Sequence, residues 1–298
     1  MNQALIGPTA AEVRAAHKTI VIVLAHNEER RIGLCLTSLP LADPNIAVHL
    51  VVNGSTDRTA EIARAFPVTV HDWPEGGKSR SWNRIVLDTP ALKAETFVFV
   101  DGDAQLLPGS VEALIAALRD DPAVNAAAGL PANGRSMARY RAATIAGRGM
   151  FGDLYALRGS FVARMRASGI RLPEDLVGDD SLIGALAKTD LGDETNWRDA
   201  RIVPCHDAGF LCEPVGLSPA SLRLQYRRMI NYSLRHFQNR IVSAIMRGPG
   251  PLALPLRMAE FYPEWLGRFA PRRDPQWWWF DRQALVRMRS QIRLGAAS

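Results

Sequence analysis

Cysteine is scarce in this chain: Cys35, Cys205 and Cys212 are the only three in 298 residues. An odd count with no CxxC pair gives neither a disulfide framework nor a thiolate zinc site, and predicts a reducing, cytoplasmic setting. No uncharged apolar run reaches the eighteen or so residues of a membrane-spanning helix. The amino terminus lacks a charged segment joined to an unbroken apolar one, so no secretory signal is expected. Motifs are missing too: there is no GxSxG elbow and no HExxH, and Gly76-Gly77-Lys78 lacks the spacing of a phosphate-binding P-loop. Serine-hydrolase, zinc-protease and ATPase chemistries are set aside on that ground.

What is present is a chain with 47% hydrophobic residues, enough to bury a substantial core. Its net charge of +6 is unevenly spread. Residues 1–220 hold 22 basic and 26 acidic side chains, a balance of −4, whereas residues 221–298 hold 14 arginines and four acids, a balance of +10. Such an asymmetry predicts a polyanionic partner at the carboxyl end, a nucleic acid or an anionic membrane surface, with a merely solvated arginine-rich tail as the alternative.

The apolar run Thr19–Leu24 reads as a strand buried on both faces of a parallel sheet, and the polar cluster AHNEE follows it. Helical spacing over 30–39, a second buried strand over 48–52 and NGSTDRT opening another helix continue a βαβ alternation. Short strands over 67–71 and 96–100 complete the series, the latter ending at Asp101-Gly102-Asp103. Ligands of open parallel sheets bind beyond the carboxyl ends of the strands, where AHNEE, NGSTD and DGD all fall. Helices are expected over 109–119, after Asp179-Asp180, and over 218–237, and Pro249–Pro255 breaks the chain before a tail.

Two carboxylates separated by one glycine at a strand exit suit Mg²⁺ or Mn²⁺, which favour oxygen donors and share their shell with substrate phosphates. Asp101 and Asp103 are that pair. Asp180 is the candidate general base for an acceptor hydroxyl; Asp179 and Asp180 also suit the charged first turn of a helix. Gln225 and Arg228, three apart on one helix face, suit a diphosphate or an anionic acceptor. His206 reads either as an additional metal ligand or as a structural histidine.

In these residues the chain resembles the family 2 glycosyltransferases of the GT-A fold, from about Thr19 to about Phe237. AHNEE is similar to the family's xxNEE motif, NGSTDRT to DGSxDxT, EGGKSRSWN to GGKxxAxN, and DGDAQLLPGSV to DxDxxxxPGxv. GDDSL resembles the motif that carries the base, and QYRRM resembles QxxRW. The resemblance implies an α/β GT-A domain with a mainly parallel central sheet flanked by helices. It also implies inverting, metal-assisted transfer of a sugar from a nucleotide-diphosphate donor to a hydroxyl acceptor, a saccharide or a lipid-linked one. Ala25, Asn27, Glu28, Asn53, Lys78, Asp101 and Gly102 would then contact the donor nucleotide and Asp103 and Asp101 the metal, while Asp180 would deprotonate the acceptor hydroxyl and Asp179, with Gln225 and Arg228, would contact the acceptor or the diphosphate. The chain departs from the family at Val52-Asn53, where an acidic residue is frequent, at Asp179, where glutamate is frequent, and at Met229, where the motif has tryptophan. The last change, with no flanking membrane helices, argues against processive polymer synthesis.

The expected organisation is a catalytic domain over 1–240, with a nucleotide-binding half over 18–122 and an acceptor half over 123–240, and a basic, aromatic extension over 241–298. In that extension Trp277, Trp278, Trp279 and Phe280 precede an arginine-rich segment in which Leu285, Met288, Ile292 and Leu294 approach helical spacing. An aromatic cluster beside a basic amphipathic helix suits the headgroup boundary of an anionic bilayer, and packing onto the catalytic domain suits it equally. A nucleotidyltransferase is the rival enzyme, and a nucleic-acid-binding module the non-enzymatic alternative. No nucleic-acid-binding motif accompanies the terminal charge, so no nucleic-acid partner is expected.

Overall fold

A computed structural model describes residues 18–134, 136–212 and 218–295. Chain order begins β1 (Thr19–Ala25), α1 (Ile32–Thr37), β2 (Ile46–Asn53), α2 (Thr59–Ala63), β3 (Thr69–Trp73), α3 (Lys78–Trp82) with a wider turn over Asn83–Leu87, and β4 (Thr96–Asp101). It continues through β5 (Gln105–Leu106), α4 (Ser110–Asp120), β6 (Ala126–Pro131), α5 (Met137–Gly147), β7 (Leu154–Arg158), α6 (Gly159–Ser168), α7 (Asp179–Thr189) and β8 (Ile202–Leu211). The last helices are α8 (Pro219–Arg247), α9 (Tyr262–Trp265) and α10 (Pro275–Gly295).

The described strands form one sheet in the order β3-β2-β1-β4-β7-β6-β8-β5. β3, β2, β1 and β4 run parallel, as the βαβ pattern predicts. β7 is antiparallel to both β4 and β6, whereas β6 and β8 are parallel. Antiparallel insertion of β7 was not predicted from the irregular pattern after residue 124, and it matters for the site.

Every residue of β1 is buried because alternate side chains enter opposite cores. Ile20, Ile22 and Leu24 join Trp82 of α3, Phe161 of α6, Leu182 of α7, Phe237 of α8 and Leu285 of α10. Val21 and Val23 join Ile32 and Leu36 of α1 and Leu114 of α4 on the other face. The result is a sheet between two helical layers, the α/β architecture expected.

The long α8 is capped by the Ser218 hydroxyl, which accepts the Ser221 N–H, and has Pro219 in its first turn. It runs through position 240, where the sequence places a boundary. α10 packs back along it and buries Ala284, Leu285 and Met288. The apolar stripe of the tail that the sequence offers to a membrane is therefore spent on the protein's own core; the Leu294 side chain lies outside what is described. Among the described residues no helix is long and apolar enough to cross a membrane.

Candidate active site

The carboxyl ends of β1, β2 and β4 are fastened to one another before any ligand arrives. Asn27, with a left-handed backbone at φ 57°, donates its N–H to Ser55 Oγ at 2.9 Å, and its side-chain oxygen accepts the Thr56 N–H at 2.8 Å. Glu28 N–H reaches Thr59 Oγ1 at 2.7 Å, and Glu29 N–H reaches Asp57 Oδ2 at 3.0 Å. These bonds zip the AHNEE and NGSTDRT loops together. Asn53 is buried and donates to the Ala25 carbonyl at 3.0 Å, while its side-chain oxygen accepts the Gly77 N–H at 3.4 Å. Its amide thus fixes β1, β2 and the glycine loop to one another.

Beyond these ends lies a cavity of about 200 Å³ lined by Leu24, His26, Glu28, Asn53, Lys78, Asp101, Gly102 and Asp103. Gly102 sits where a side chain has no room: a Cβ there would lie 2.7 Å from Ala25 Cβ and 3.3 Å from the Leu24 carbonyl. That close approach lets the two flanking aspartates rest on the end of β1. Of the expected donor residues, Glu28, Asn53, Lys78, Asp101 and Gly102 line this cavity. Ala25 is buried beneath Gly102, and Asn27 serves as the loop tie just described.

Lys78 connects the parts. Its helix is anchored four residues on by Trp82, which is fully buried and donates its indole N–H to Tyr155 Oη at 3.0 Å. The ammonium lies 2.5 Å from Asp101 Oδ1 and 3.9 Å from Asp179 Oδ1. Burial opposes its charge, but Asp101 and Asp179 outweigh burial and hold its pKa well above the ordinary lysine value. The space over Gly152 shows the convergence: the point where its Cβ would stand is 2.9 Å from Lys78 Nζ, 3.7 Å from Asp101 Oδ2 and 3.8 Å from Asp180 Cβ. Strand-end aspartates and the first turn of α7 therefore face one cleft.

The carboxylates are densely set. Ligand oxygens of Asp101, Asp103 and Asp153 all lie within 4.8 Å of one another. Asp101, Asp153 and Asp179 have raised pKa values, first through desolvation, Asp179 being buried and the other two half-buried; neighbouring acids add to the shift at each, Asp153 and Asp103 at Asp101, Asp103 at Asp153 and Asp180 at Asp179. Glu28 is pushed up to about 7 by burial and by Asp103, against the opposing pull of Arg31. Such a cluster of hard oxygen donors, costly to keep charged in the dry state, fits a divalent cation of the Mg²⁺ or Mn²⁺ kind. His206 is exposed on β8 and stands outside this group of three.

Arginines close the cleft from α8 and from the start of α1. Arg228 lies 3.7 Å from Asp103 Oδ2, and Arg31 approaches the same oxygen at 3.8 Å. Further along α8, Arg235 pairs with Asp180 Oδ2 at 3.0 Å and also contacts Ser181 Oγ. Gly178, at φ 90°, makes that pairing possible, because a Cβ there would lie 2.4 Å from Arg235 Nε. Gln225 is half-buried on the same helix, one turn before Arg228.

Residues 20–173, just over half of the chain, match the family described as Glycosyl transferase family 2. The chain belongs to that family. Over 83 residues this family 2 chain is 31% identical to Protein RfbJ of Shigella flexneri, a stretch covering 28% of this chain and 62% of the relative. Over 107 residues it is 35% identical to a 4,4'-diaponeurosporenoate glycosyltransferase of Staphylococcus aureus, covering 33% of this chain and 28% of the relative. The match thus spans less than two thirds of either curated relative. The fold is similar to that of a mannosyltransferase from Pyrobaculum calidifontis solved with GDP-Man and Mn²⁺, at 20% identity and a TM-score of 0.58, covering 94% of this chain and 75% of that one. It is also similar to a glucosyl-3-phosphoglycerate synthase from Mycobacterium tuberculosis solved with Mn²⁺, UDP and glucosyl-3-phosphoglycerate, at 20% identity and a TM-score of 0.51, covering 84% of this chain and 88% of that one.

Several residues of this family 2 site escaped the sequence reading. Asp153 was missed because it joins the cluster only through the antiparallel register of β7, which places Leu154 opposite Val100 and lets the Asp101 N–H donate to the Asp153 carbonyl at 3.2 Å. Its one local signal was a lone aspartate immediately before an apolar run. His26, inside a quoted motif, lines the cavity with Nδ1 2.7 Å from the Asn53 carbonyl oxygen. Arg31 and Arg235 carried no signal beyond being arginines on helical stretches.

Proposed function

We propose that this chain transfers a sugar from a nucleotide-diphosphate donor to a hydroxyl acceptor by single displacement, with inversion at the anomeric carbon. The observation that carries this reading is the Lys78 bridge, which sets the strand-end carboxylates and the Asp179-Asp180 turn around one cleft. Acids gathered for a cation beside a diphosphate, and an acid placed to receive a proton from an alcohol, are the two things such a transfer needs.

In this reading residues 18–122 supply the donor half and residues 123–240 the acceptor half. Asp101, Asp103 and Asp153 hold the divalent cation, which when bound offsets the charge that develops on the departing diphosphate. The cavity beside Glu28 and Asn53 takes the nucleoside, Lys78 orders the carboxylates around the sugar, and Arg228, with Gln225, faces the diphosphate once released from Asp103. Asp180 accepts the proton of the acceptor hydroxyl as its oxygen attacks the anomeric carbon and the nucleoside diphosphate leaves. Asp179 braces Lys78 from the acceptor side. A saccharide or a lipid-linked alcohol fits the acceptor role.

Thermal-shift measurements against UDP-, GDP- and dTDP-sugars, each with and without Mn²⁺, test this reading. One donor class should raise the melting temperature in a Mn²⁺-dependent manner, and Asp103→Asn should remove that gain. Failure of every nucleotide sugar to stabilise the protein in the presence of Mn²⁺ would discard the proposal.

A further inference from the structure

The outer surface of the two paired C-terminal helices is built differently from the rest of the molecule. α10 divides cleanly: Asp281, Ala284, Leu285 and Met288 point inward and are buried, whereas Trp278, Trp279, Arg282, Val286, Arg289 and Arg293 face outward. Three of the outward residues are large and apolar, with Trp278 43%, Trp279 49% and Val286 56% exposed. The surface continues onto α8, because Trp279 Nε1 donates to Tyr226 Oη at 3.2 Å and Tyr226 meets Phe280 edge-on at 5.7 Å. Tyr226 is itself exposed, as is Leu222 one turn before it.

Along the two helices of this ridge exposed charge is of one sign, with Asp274, exposed just before α10, the acid at its end. Arg223 and Arg227 on α8, and Arg282, Arg289 and Arg293 on α10, are exposed, and among the described residues no carboxylate pairs with any of them. Residues 218–259 contain no acid at all, and the one acid within α10, Asp281, is fully buried against Arg272. Arg282 lies 4.6 Å over the Trp278 ring, so cation and aromatic are presented together.

We propose that this ridge of α8 and α10 docks on an anionic lipid bilayer. Indole and phenol rings favour the headgroup boundary, aliphatic side chains reach the acyl layer, and arginines pair with lipid phosphates. A second copy of the chain is a poorer occupant, since an isologous contact would press two all-arginine faces together. The inward face of the same α8 carries Arg228 beside Asp103 and Arg235 beside Asp180. The cleft then lies about one helix diameter, roughly 10 Å, from the bilayer surface, within reach of a lipid-linked alcohol. This last step rests on the glycosyl-transfer reading; the docking itself does not.

The test uses the full chain and sedimentation with phosphatidylcholine vesicles, with and without phosphatidylglycerol. The wild type should sediment with the anionic vesicles only, and less so at high salt. Arg282→Gln with Arg289→Gln should weaken partitioning about fivefold for each arginine removed. Trp278→Ala with Trp279→Ala should weaken it by at least about tenfold. Both double variants should keep the wild-type Mn²⁺-dependent thermal shift with nucleotide sugar, so loss of docking and failure of the transfer reading are read separately. If the tryptophan pair cannot be folded, the arginine pair, whose side chains face solvent, decides alone. Wild type that stays in the supernatant with anionic vesicles overturns the proposal, as do variants that sediment like wild type. A dimer in sedimentation equilibrium that the tryptophan substitutions dissociate would assign the ridge to a second copy instead.

Discussion

Arg235 holds Asp180 in place: its guanidinium spans Asp180 Oδ2 and Ser181 Oγ and fixes the carboxylate beside the cleft. If Asp180 is the base, Arg235 is a positioning residue, and a misaimed base forfeits part of the roughly hundred- to ten-thousandfold that general-base catalysis supplies. Arg235→Gln should lower kcat at least about tenfold with little change in donor KM, and Arg235→Lys should recover part of it; a change confined to donor KM would refute the role. Asp153 yields a second expectation at the same scale. Asp153→Asn should weaken Mn²⁺-dependent stabilisation at least about tenfold in apparent affinity, comparable to Asp103→Asn, as read by metal titration of the melting temperature. The contrast between these two aspartates marks the limit of what the sequence discloses. Asp101 and Asp103 were legible because strand, turn and acids are consecutive, whereas Asp153 and Arg235 enter the site through pairings 52 and 55 residues away in sequence, Asp101 with Asp153 and Asp180 with Arg235. Asn53 shows the converse: its position was legible and its work was not, since the amide ties β1 to the glycine loop.

Among the elements, β1, β2 and β4 could be read from the chain because a parallel strand buried on both faces leaves a continuous apolar run, whereas β3, an edge strand with no buried residue, lacks that run and lies at Thr69–Trp73, two residues beyond the expected 67–71. β7 and β8 could not, since their neighbours are fixed by a sheet that reverses direction at β7. The amphipathic stripe of α10 was visible, but not which apolar surface it meets, because a bilayer and a protein core demand the same stripe. In the fold it meets α8, and the pair is locked by Arg272, whose backbone N–H and guanidinium both donate to buried Asp281 at 2.6–2.9 Å. Burial alone would raise the Asp281 pKa, but these hydrogen bonds outweigh it and hold it below the ordinary carboxylate value. A depressed carboxylate contributes its full stability above the unfolded value, near pH 4, and loses it as pH falls through the lower folded value. Nearby His236 has a pKa lowered by burial and by Arg272 and Arg240, so on acidification below about 6.5 the fold begins to resist its protonation and loses stability first. Protection factors of the α10 amides, taken relative to the intrinsic exchange rate at each pH, should fall in two steps as pH is lowered, the histidine step before the aspartate step. Asp281→Asn should remove the second step and cost about 3 kcal/mol at neutral pH.

For the whole molecule the question is whether the basic carboxyl segment is an appendage or part of the domain. The charge division, −4 before residue 221 and +10 after it, suggests an appendage, and the sequence pattern places its start at residue 241. Packing argues otherwise. Leu234, Phe237 and Ile241 of α8, Met258, Tyr262 of α9 and Leu285 and Met288 of α10 belong to the same core as Ile20, Phe97 and Trp82. Tyr262 Oη accepts from buried Gln238, whose side-chain oxygen accepts the Val177 N–H just before the Asp179-Asp180 turn, so the extension is wired to the candidate base. Ending the chain after Pro271 would uncover Leu285 and Met288 contacts worth about 1.5–3 kcal/mol each and remove the Arg272–Asp281 lock. A loss of that size, with about 2–4 °C per kcal/mol for a chain near this length, should lower the melting temperature by about 10 °C or more. Scanning calorimetry of the shortened chain checks this, and an unchanged midpoint would show that residues 272–298 are a separable tail. The full chain should meanwhile unfold in one transition, because a core shared between sheet and C-terminal helices leaves no independent unit to melt first.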